Sequence, residues 1–276
     1  MRILVTGSTG MIGSRLVEAL IEQGYDVIGI DRRDNTNSET IKADLLDYDN
    51  LEKIIKEKKI DRVIHLAALA HSVEGERIEY DDYYKANVVC AENVFKAASN
   101  IPVLFISTVD VYGFTKGVVS ANSPINPVTA YGKTKAEAEK KCKQYCEKYT
   151  VFRFSPVYSK QIKRDIQKRY YLRYPDVAYR IGKGEKFEVL NIELAVSKMV
   201  KWCSEKPDNK IHIIKDEKLL DVNECIRAEK ENGKANYTIY LPMWIVKSGF
   251  LLLKLFTGEN KYTYLLNKAV YPLRTR

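Results

Sequence analysis

Five cysteines in 276 residues are too few and too scattered to organise a fold. Cys90, Cys142, Cys146, Cys203 and Cys225 follow no disulfide-framework or zinc spacing. Cys142 and Cys146 fall one turn apart on a predicted helix, but no histidine or second cysteine pair accompanies them. No metal site is expected, and the thiols read as reduced structural groups. Also missing at the start is the charged, apolar, small-residue order of a signal peptide; the apolar run from Met1 fits a buried strand instead. The strongly apolar stretch Leu241–Phe256 is shorter than the ~20 residues of a transmembrane helix, and Lys247 and Lys254 interrupt it. These absences predict a cytoplasmic protein with no membrane span. The chain has no internal repeat and no low-complexity linker, and its length suits one large domain, or one domain with an appendage. The net charge of +9 calls for anionic partners. With no base-reading motif present, nucleotide is the economical choice and no nucleic-acid partner is expected.

What is present begins at once. Met1–Val5 reads as a buried strand, followed by Thr6-Gly7-Ser8-Thr9-Gly10-Met11-Ile12-Gly13-Ser14. A helical pattern runs from Arg15 to Gln23, Gly24 stops it, and Asp26–Asp31 reads as a second strand. This is a βαβ unit whose tight turn is G-x-x-G-x-x-G. Without Cβ atoms the turn can take unusual φ values, a pyrophosphate can approach the backbone, and the helix can pack closely on the strand. The helix N-terminus offers unpaired N–H groups and a positive dipole end to the phosphates. Asp31, ending the second strand, is placed to accept hydrogen bonds from an adenosine ribose. Strand, turn, helix, strand and terminal acid in this order predict dinucleotide binding.

Strands and helices alternate as far as residue 155. Strands are predicted at 41–43, 61–68, 103–108 and 149–154, and helices at 50–58, 81–99 and 131–148. Continuous apolar strands such as Val63-Ile64-His65-Leu66-Ala67-Ala68 imply a parallel sheet covered on both faces. The expected fold class is α/β: a doubly wound, Rossmann-type parallel sheet with a smaller C-terminal substrate domain. The expected division is 1–158 and 159–276, with roughly 187–204 returning to the main sheet. Residues 160–186 are rich in Lys, Arg and Tyr, and read either as a lid gripping a substrate diphosphate or as solvated charged surface. Further strands are predicted at 176–181 and 211–214, and helices at 192–204, 221–231 and 242–256.

Tyr131 and Lys135 stand four apart in Tyr131-Gly132-Lys133-Thr134-Lys135, on one face of a predicted helix. A phenol with a free pKa near ~10 is a poor acid–base group at neutral pH. A neighbouring ammonium favours the phenolate and brings that value towards the working range. Tyr-x-x-x-Lys also arises by chance, but here Ser107-Thr108-Val109-Asp110-Val111-Tyr112-Gly113 stands upstream at a predicted strand end. A hydroxyl there can sit opposite the tyrosine.

Taken together, TGSTGMIGS, Asp31, Asp44-Leu45, His65–Ala70, Asn87, STVDVYG and Tyr131/Lys135 resemble the extended short-chain dehydrogenase/reductase family. Within it the chain is similar to the NAD-dependent nucleotide-sugar epimerase/dehydratase group, over about residues 1–158. The resemblance implies that Gly7, Gly10, Met11, Ile12 and Gly13 cradle the pyrophosphate and that Asp31 binds the adenosine ribose. It implies that Asp44 and Leu45 flank the adenine, that Leu66, Ala67, Ala68 and Ala70 line the cofactor cleft, and that Asn87 packs on the cofactor side. Thr108 and Tyr131 then serve as catalytic hydroxyl and acid–base residue, and Lys135 binds the nicotinamide ribose and tunes Tyr131. Substrate contacts are expected from His71, Thr108, Val109 and Asp110. A homodimer through the helices bearing Asn87 and Tyr131 is a further expectation of the family.

The departures bear on the reaction. Dehydratases of this group carry Asp-Glu after the catalytic Thr; here Val109-Asp110 follows, so the acid for water elimination is missing at the first position. Pro156 and Ser159 stand where the family often has Asn and Gly, and Asn191-Ile192-Glu193-Leu194-Ala195 replaces V-D-D-V-A. The cofactor pattern is intact while the sugar side is altered. Asp31 would repel a 2′-phosphate and favours NAD, although Arg32 and Arg33 make NADP possible. The expected activity is 4-epimerisation of a nucleotide sugar through a 4-keto intermediate, in surface polysaccharide biosynthesis. A 4-keto-sugar reductase is the alternative, and a non-catalytic cofactor-sensing protein is the alternative of another class. His65 reads as a packed core histidine. The stretch 241–256 reads first as a helix capping the C-terminal core, and second as an interfacial helix meeting a membrane surface, helped by the basic tail.

Overall fold

The computed structural model describes residues 1–33, 40–70, 78–115, 117–159, 164–172, 176–235 and 237–276. The first half alternates β1 (Arg2–Thr6), α1 (Met11–Glu22), β2 (Asp26–Asp31), β3 (Thr40–Lys42), α2 (Tyr48–Glu57) and β4 (Arg62–His65). There follow α3 (Tyr80–Tyr84), α4 (Cys90–Ala97), β5 (Val103–Thr108), the short β6 (Val118–Val119), α5 (Ala130–Tyr145) and β7 (Tyr149–Phe154). The second half runs β8 (Val157–Tyr158), α6 (Arg164–Gln167), β9 (Tyr171–Leu172), β10 (Val177–Ile181), β11 (Lys186–Phe187) and β12 (Leu190–Asn191). It continues with α7 (Ile192–Ser204), β13 (Ile211–Ile214), β14 (Leu220–Asp221) and α8 (Val222–Glu231). The last elements are β15 (Tyr237–Leu241), α9 (Met243–Thr257), α10 (Lys261–Val270) and β16 (Arg274–Thr275).

Seven strands form one sheet in the order β13-β7-β5-β4-β1-β2-β3, and every pair in it is parallel. Parallel strands need crossovers, and the helices supplying them cover both faces, so the strands read as unbroken apolar runs. One face buries Leu4, Ile28, Val63 and Phe105 against α2, α4 and α5. The other buries Ile3, Val5, Ile64 and Phe152 against α1 and α7, with Leu16, Leu20 and Trp202 in its core. The strand order reverses between β1 and β4, which opens a crevice at their carboxyl ends, where such sheets take ligands.

The return to the main sheet is longer than residues 187–204. It carries on through α7 into β13, which pairs with β7, and Arg15 of α1 bonds Glu193 of α7 at 2.5 Å. A separate small core lies in the C-terminal part, built on Ile166, Tyr170, Phe187, Val222 and Ile226. The predicted strand 61–68 stops at His65, because Leu66 and Ala67 leave the sheet and bond Thr6 instead. The predicted helix 81–99 contains a π-turn at Lys85–Val89. Apart from several two-residue strands, two elements had no counterpart among the expected ones. β15 pairs with β10, ending where Pro242 interrupts the ladder, and α10 follows the α9 helix. The C-terminal tail is pinned: Thr275 bonds Glu188 through its backbone N–H and its hydroxyl, and β16 pairs with β6. Among the described residues no helix is long and apolar enough to cross a membrane.

Candidate active site

Two structures meet at the crevice, and the first is the glycine turn. Gly7 has φ +71°, and a Cβ there would meet the Ala67 backbone at 2.9 Å. A Cβ on Gly13 would come within 2.1 Å of the Gly7 carbonyl oxygen. The turn is therefore closed onto both α1 and the segment after β4, and no other residue type fits these two positions. Gly10 is the N-cap of α1, with no side-chain cap and no acid in the first turn. Its free N–H groups stay available to an anion. By contrast Asp47 caps α2, accepting from the Asn50 N–H. Met11 is partly exposed at the start of α1 and Ile12 packs on the core.

Asp31 closes the other end of this cradle. Its Oδ2 accepts from the Thr9 N–H at 3.2 Å and its Oδ1 from the Arg33 N–H at 3.1 Å. Burial pushes the carboxyl up, but the hydrogen bonds from Thr9 and Arg33 outweigh it and hold it below its ordinary value. The Arg33 side chain folds back onto the same carboxylate at 3.4 Å. Beside it Leu45 is buried in the core and Asp44 is exposed, its Oδ1 accepting from the Leu46 N–H. Three closely packed glycines, an uncapped helix and an ionised acid at the second strand's end fit a dinucleotide with a free ribose 2′-hydroxyl.

The second structure is the end of β5 against the start of α5. Thr108 is the last residue of β5 and half-buried, and its Oγ1 accepts from the Asp110 N–H at 3.2 Å. Gly132 lets α5 approach: a Cβ there would stand 2.8 Å from the Asp110 carbonyl oxygen. Tyr131, half-buried, therefore sits on the first turn of α5 next to the chain that carries Thr108. Thr129 caps this helix by accepting from the Gly132 N–H. One turn on, Lys135 is fully buried, its Nζ 4.2 Å from the centroid of the Phe105 ring. Burial drives its pKa down to about 7, against the opposing pull of Glu139. Glu139 is itself buried, held by Nε and Nη2 of Arg153 at 2.9 and 2.7 Å and by Ser107 at 2.6 Å.

His65 links the two halves. Its Nδ1 lies 2.7 Å from Thr6 Oγ1, next to the glycine turn. Its ring stacks on Phe105, and burial together with the Lys135 charge lowers its pKa to about 3. It is a neutral core histidine, as its apolar strand predicts. Asn87 has both ends of its amide engaged by the protein. Its Oδ1 accepts from the Leu69 N–H at 2.7 Å, and its Nδ2 donates to the Leu69 carbonyl and to Thr134 at 3.0 and 3.1 Å. It sits in the π-turn and ties the segment around Leu69 to Thr134 of α5.

On the substrate side, Val109 is buried in a small apolar cluster with Tyr112 and Ala136. Asp110 is taken by α10: Lys268 Nζ stands 2.7 Å and Tyr264 OH 3.3 Å from its Oδ1. Asp110, Pro156, Arg169, Tyr264 and Lys268 line a small pocket beside Thr108. His71 lies outside the described residues, as do Lys160, Lys163 and Arg173 of the basic segment. Lys268, Tyr264 and Gly132 were not anticipated as site residues, while Arg169 belongs to the basic segment read as a possible lid. For α10 a signal was present, since Asn260 and Thr263 form a capping box at its start. Among the described residues no group of three or more His, Cys, Asp or Glu is arranged to hold a metal ion, and none of the five cysteines is in a disulfide.

Residues 3–198 match the family described as NAD dependent epimerase/dehydratase. The chain belongs to this family. UDP-glucose 4-epimerase 2 of Arabidopsis thaliana is 33% identical over 163 residues, covering 51% of this chain and 46% of that protein. Protein CapI of Staphylococcus aureus is 30% identical over 186 residues, covering 57% and 54%. The chain thus spans about half the length of these relatives. In three dimensions it is similar to UDP-glucuronic acid 4-epimerase from Bacillus cereus, solved in complex with UDP-glucuronic acid and NAD. The TM-score is 0.72 at 26% identity, with 88% of this chain and 86% of that one covered.

Proposed function

We propose that the protein is an NAD-dependent nucleotide-sugar 4-epimerase. The observation that carries this reading is the close packing of α5, which bears Tyr131 and the buried Lys135, through Gly132 onto the turn that follows Thr108. The NAD-bound epimerase of similar fold and the UDP-glucose 4-epimerase among the relatives support it. Gly7, Gly10, Met11, Ile12, Gly13 and Asp31 would hold the dinucleotide, with Lys135 at the nicotinamide ribose. When bound, it supplies the acceptor and then the donor of hydride at the sugar carbon. Tyr131 takes the proton of the sugar hydroxyl and later returns it. Thr108 Oγ1 already accepts from the Asp110 N–H, so its own O–H is left to donate to the sugar oxygen. Lys135, brought close to neutrality by burial, is poised to exchange charge with its surroundings as Tyr131 changes state.

Two features favour epimerisation over water elimination. Val109 offers no acid, and Asp110 is neutralised by Lys268. The paired Asp31 carboxylate favours NAD, while Arg33 bound to it softens the repulsion of a 2′-phosphate. Homodimer formation and a place in surface polysaccharide synthesis rest on the family resemblance, and a cytoplasmic location on the scattered thiols.

The test is to incubate the purified protein with UDP-, GDP- and dTDP-sugars without added cofactor and resolve the products. Interconversion of 4-epimers is expected; stoichiometric consumption of added NAD(P)H would make it a reductase instead. Tyr131→Phe should abolish turnover and leave cofactor binding intact. Turnover surviving in that variant would remove the catalytic role of Tyr131.

A further inference from the structure

The C-terminal part carries an apolar surface that no described element covers. Along α9, Trp244, Ile245, Leu251, Leu252, Leu255 and Phe256 are exposed, Leu255 and Phe256 to 78% and 81%, and of the helix only Phe250 is buried. At 100° per residue these six span one broad face of the helix. All five residues of β15 are exposed as well, with Tyr237, Ile239 and Tyr240 presenting large side chains. β15 is the edge of its small sheet, and Tyr262, at the start of α10, is 71% exposed. Contiguous exposed apolar surface of this kind marks an interaction site.

The charge around it is predominantly positive. From Tyr237 to the C-terminus the chain carries six Lys or Arg and a single acid, Glu259. Two of the six are turned inward, Lys268 onto Asp110 and Arg274 onto main-chain carbonyls. Lys247 and Lys254 lie seven apart, on the flank of α9 beside Leu251, and Glu259 pairs with Lys254 at 2.7 Å. Arg180, on the neighbouring strand β10, stands 5.2 Å from the centroid of the exposed Tyr240 ring. Lys183 is exposed in the turn that packs on Met243 through Gly182.

We infer that this face, α9 with β15 and Tyr262, docks on an anionic lipid surface. The 15-residue α9 is about 22 Å long, short of the ~30 Å hydrocarbon core, so it lies in the plane of the interface. Leu251, Leu252, Leu255 and Phe256 enter the acyl boundary. Trp244, Tyr240 and Tyr262, apolar rings with a polar edge, sit at headgroup depth. Arg180, Lys183 and Lys247 meet lipid phosphates, each cation adding attraction that salt weakens. A second copy of this chain is the poorer occupant, because an isologous contact would bring two like-charged rims together. The inference is independent of the reaction proposed above.

The test is flotation of the full chain with vesicles of equal parts phosphatidylglycerol and phosphatidylcholine, and with pure phosphatidylcholine. The protein should float with the anionic vesicles at low salt, much less with the neutral ones, and detach as salt is raised. Trp244 is exposed and Trp202 buried, so an emission shift to shorter wavelength on adding vesicles reports contact at this face. The double substitution Leu255→Glu/Phe256→Glu should weaken partitioning by roughly ten- to hundred-fold and leave the thermal melt unchanged, since neither side chain is in the core. Absence of the folded protein from the anionic vesicle fraction would overturn the inference. So would a wild-type dimer that this double substitution converts to a monomer, because the face would then belong to a second copy.

Discussion

Lys135 is the residue on which packing and chemistry conflict most directly. A buried ammonium is costly, and here its ordinary value of 10.5 falls to about 7. Between those two values the unfolded chain binds more protons than the folded one, so stability from this group rises with pH across that window. At and below neutral pH the buried charge counts against folding. Lys135→Met should therefore raise the melting temperature at pH 7 while abolishing activity, at roughly 2–4 °C for each kcal/mol gained. The difference from wild type should shrink as the pH approaches 10.5, and a thermal melt series over pH checks both the sign and the trend. The Tyr131/Lys135 pair was legible because a spacing of four on a helix is a local property. That the ammonium would lie against Phe105 and next to a neutral His65 was not, since those contacts join residues 30 and 70 positions away in the chain.

At the level of elements, the glycine turn is the most sharply determined part of the molecule. Its three glycines sit between a strand and a helix whose own patterns are plain, so turn, cap and terminal Asp31 follow from one short stretch. Gly13→Ala puts a methyl group within 2.1 Å of the Gly7 carbonyl oxygen. It should destabilise the fold by about 1–3 kcal/mol, as overpacking does, and abolish NAD binding measured by titration calorimetry. Normal binding in that variant would show that the turn has room it is not expected to have. The predicted β and α segments of the first 155 residues have counterparts, with ends shifted where a tertiary bond intervenes. β4 stops at His65 because Thr6 takes the next N–H groups, and α3 and α4 are joined by a π-turn that places Asn87 between Leu69 and Thr134. β15 was missed because its five residues are all exposed, which leaves no alternation of buried and exposed positions to read.

On the scale of the whole molecule, the tail ties distant parts together. Glu188 is buried and held by Lys215 at 2.7 Å and by Thr275 through two hydrogen bonds. Removing residues 272–276 leaves that carboxylate with fewer partners and leaves β6 without β16. Urea denaturation should show a loss of about 1–3 kcal/mol, the cost of an unsatisfied buried acceptor, and an unchanged midpoint would mean that Lys215 alone suffices. The basic tail, read from sequence as an aid to membrane docking, is instead partly engaged inside the fold, with Thr275 buried. The apolar pattern, the glycines and the Tyr-Lys spacing were enough to specify a doubly wound sheet, its glycine turn and a tyrosine and lysine on one face of α5, because each is a matter of neighbours within one element or one βαβ unit. Which groups close the substrate side was left to packing: Lys268 and Tyr264 reach Asp110 from more than 150 residues away. No local periodicity encodes such a contact, and it forms only when the C-terminal helices are laid across the end of the parallel sheet.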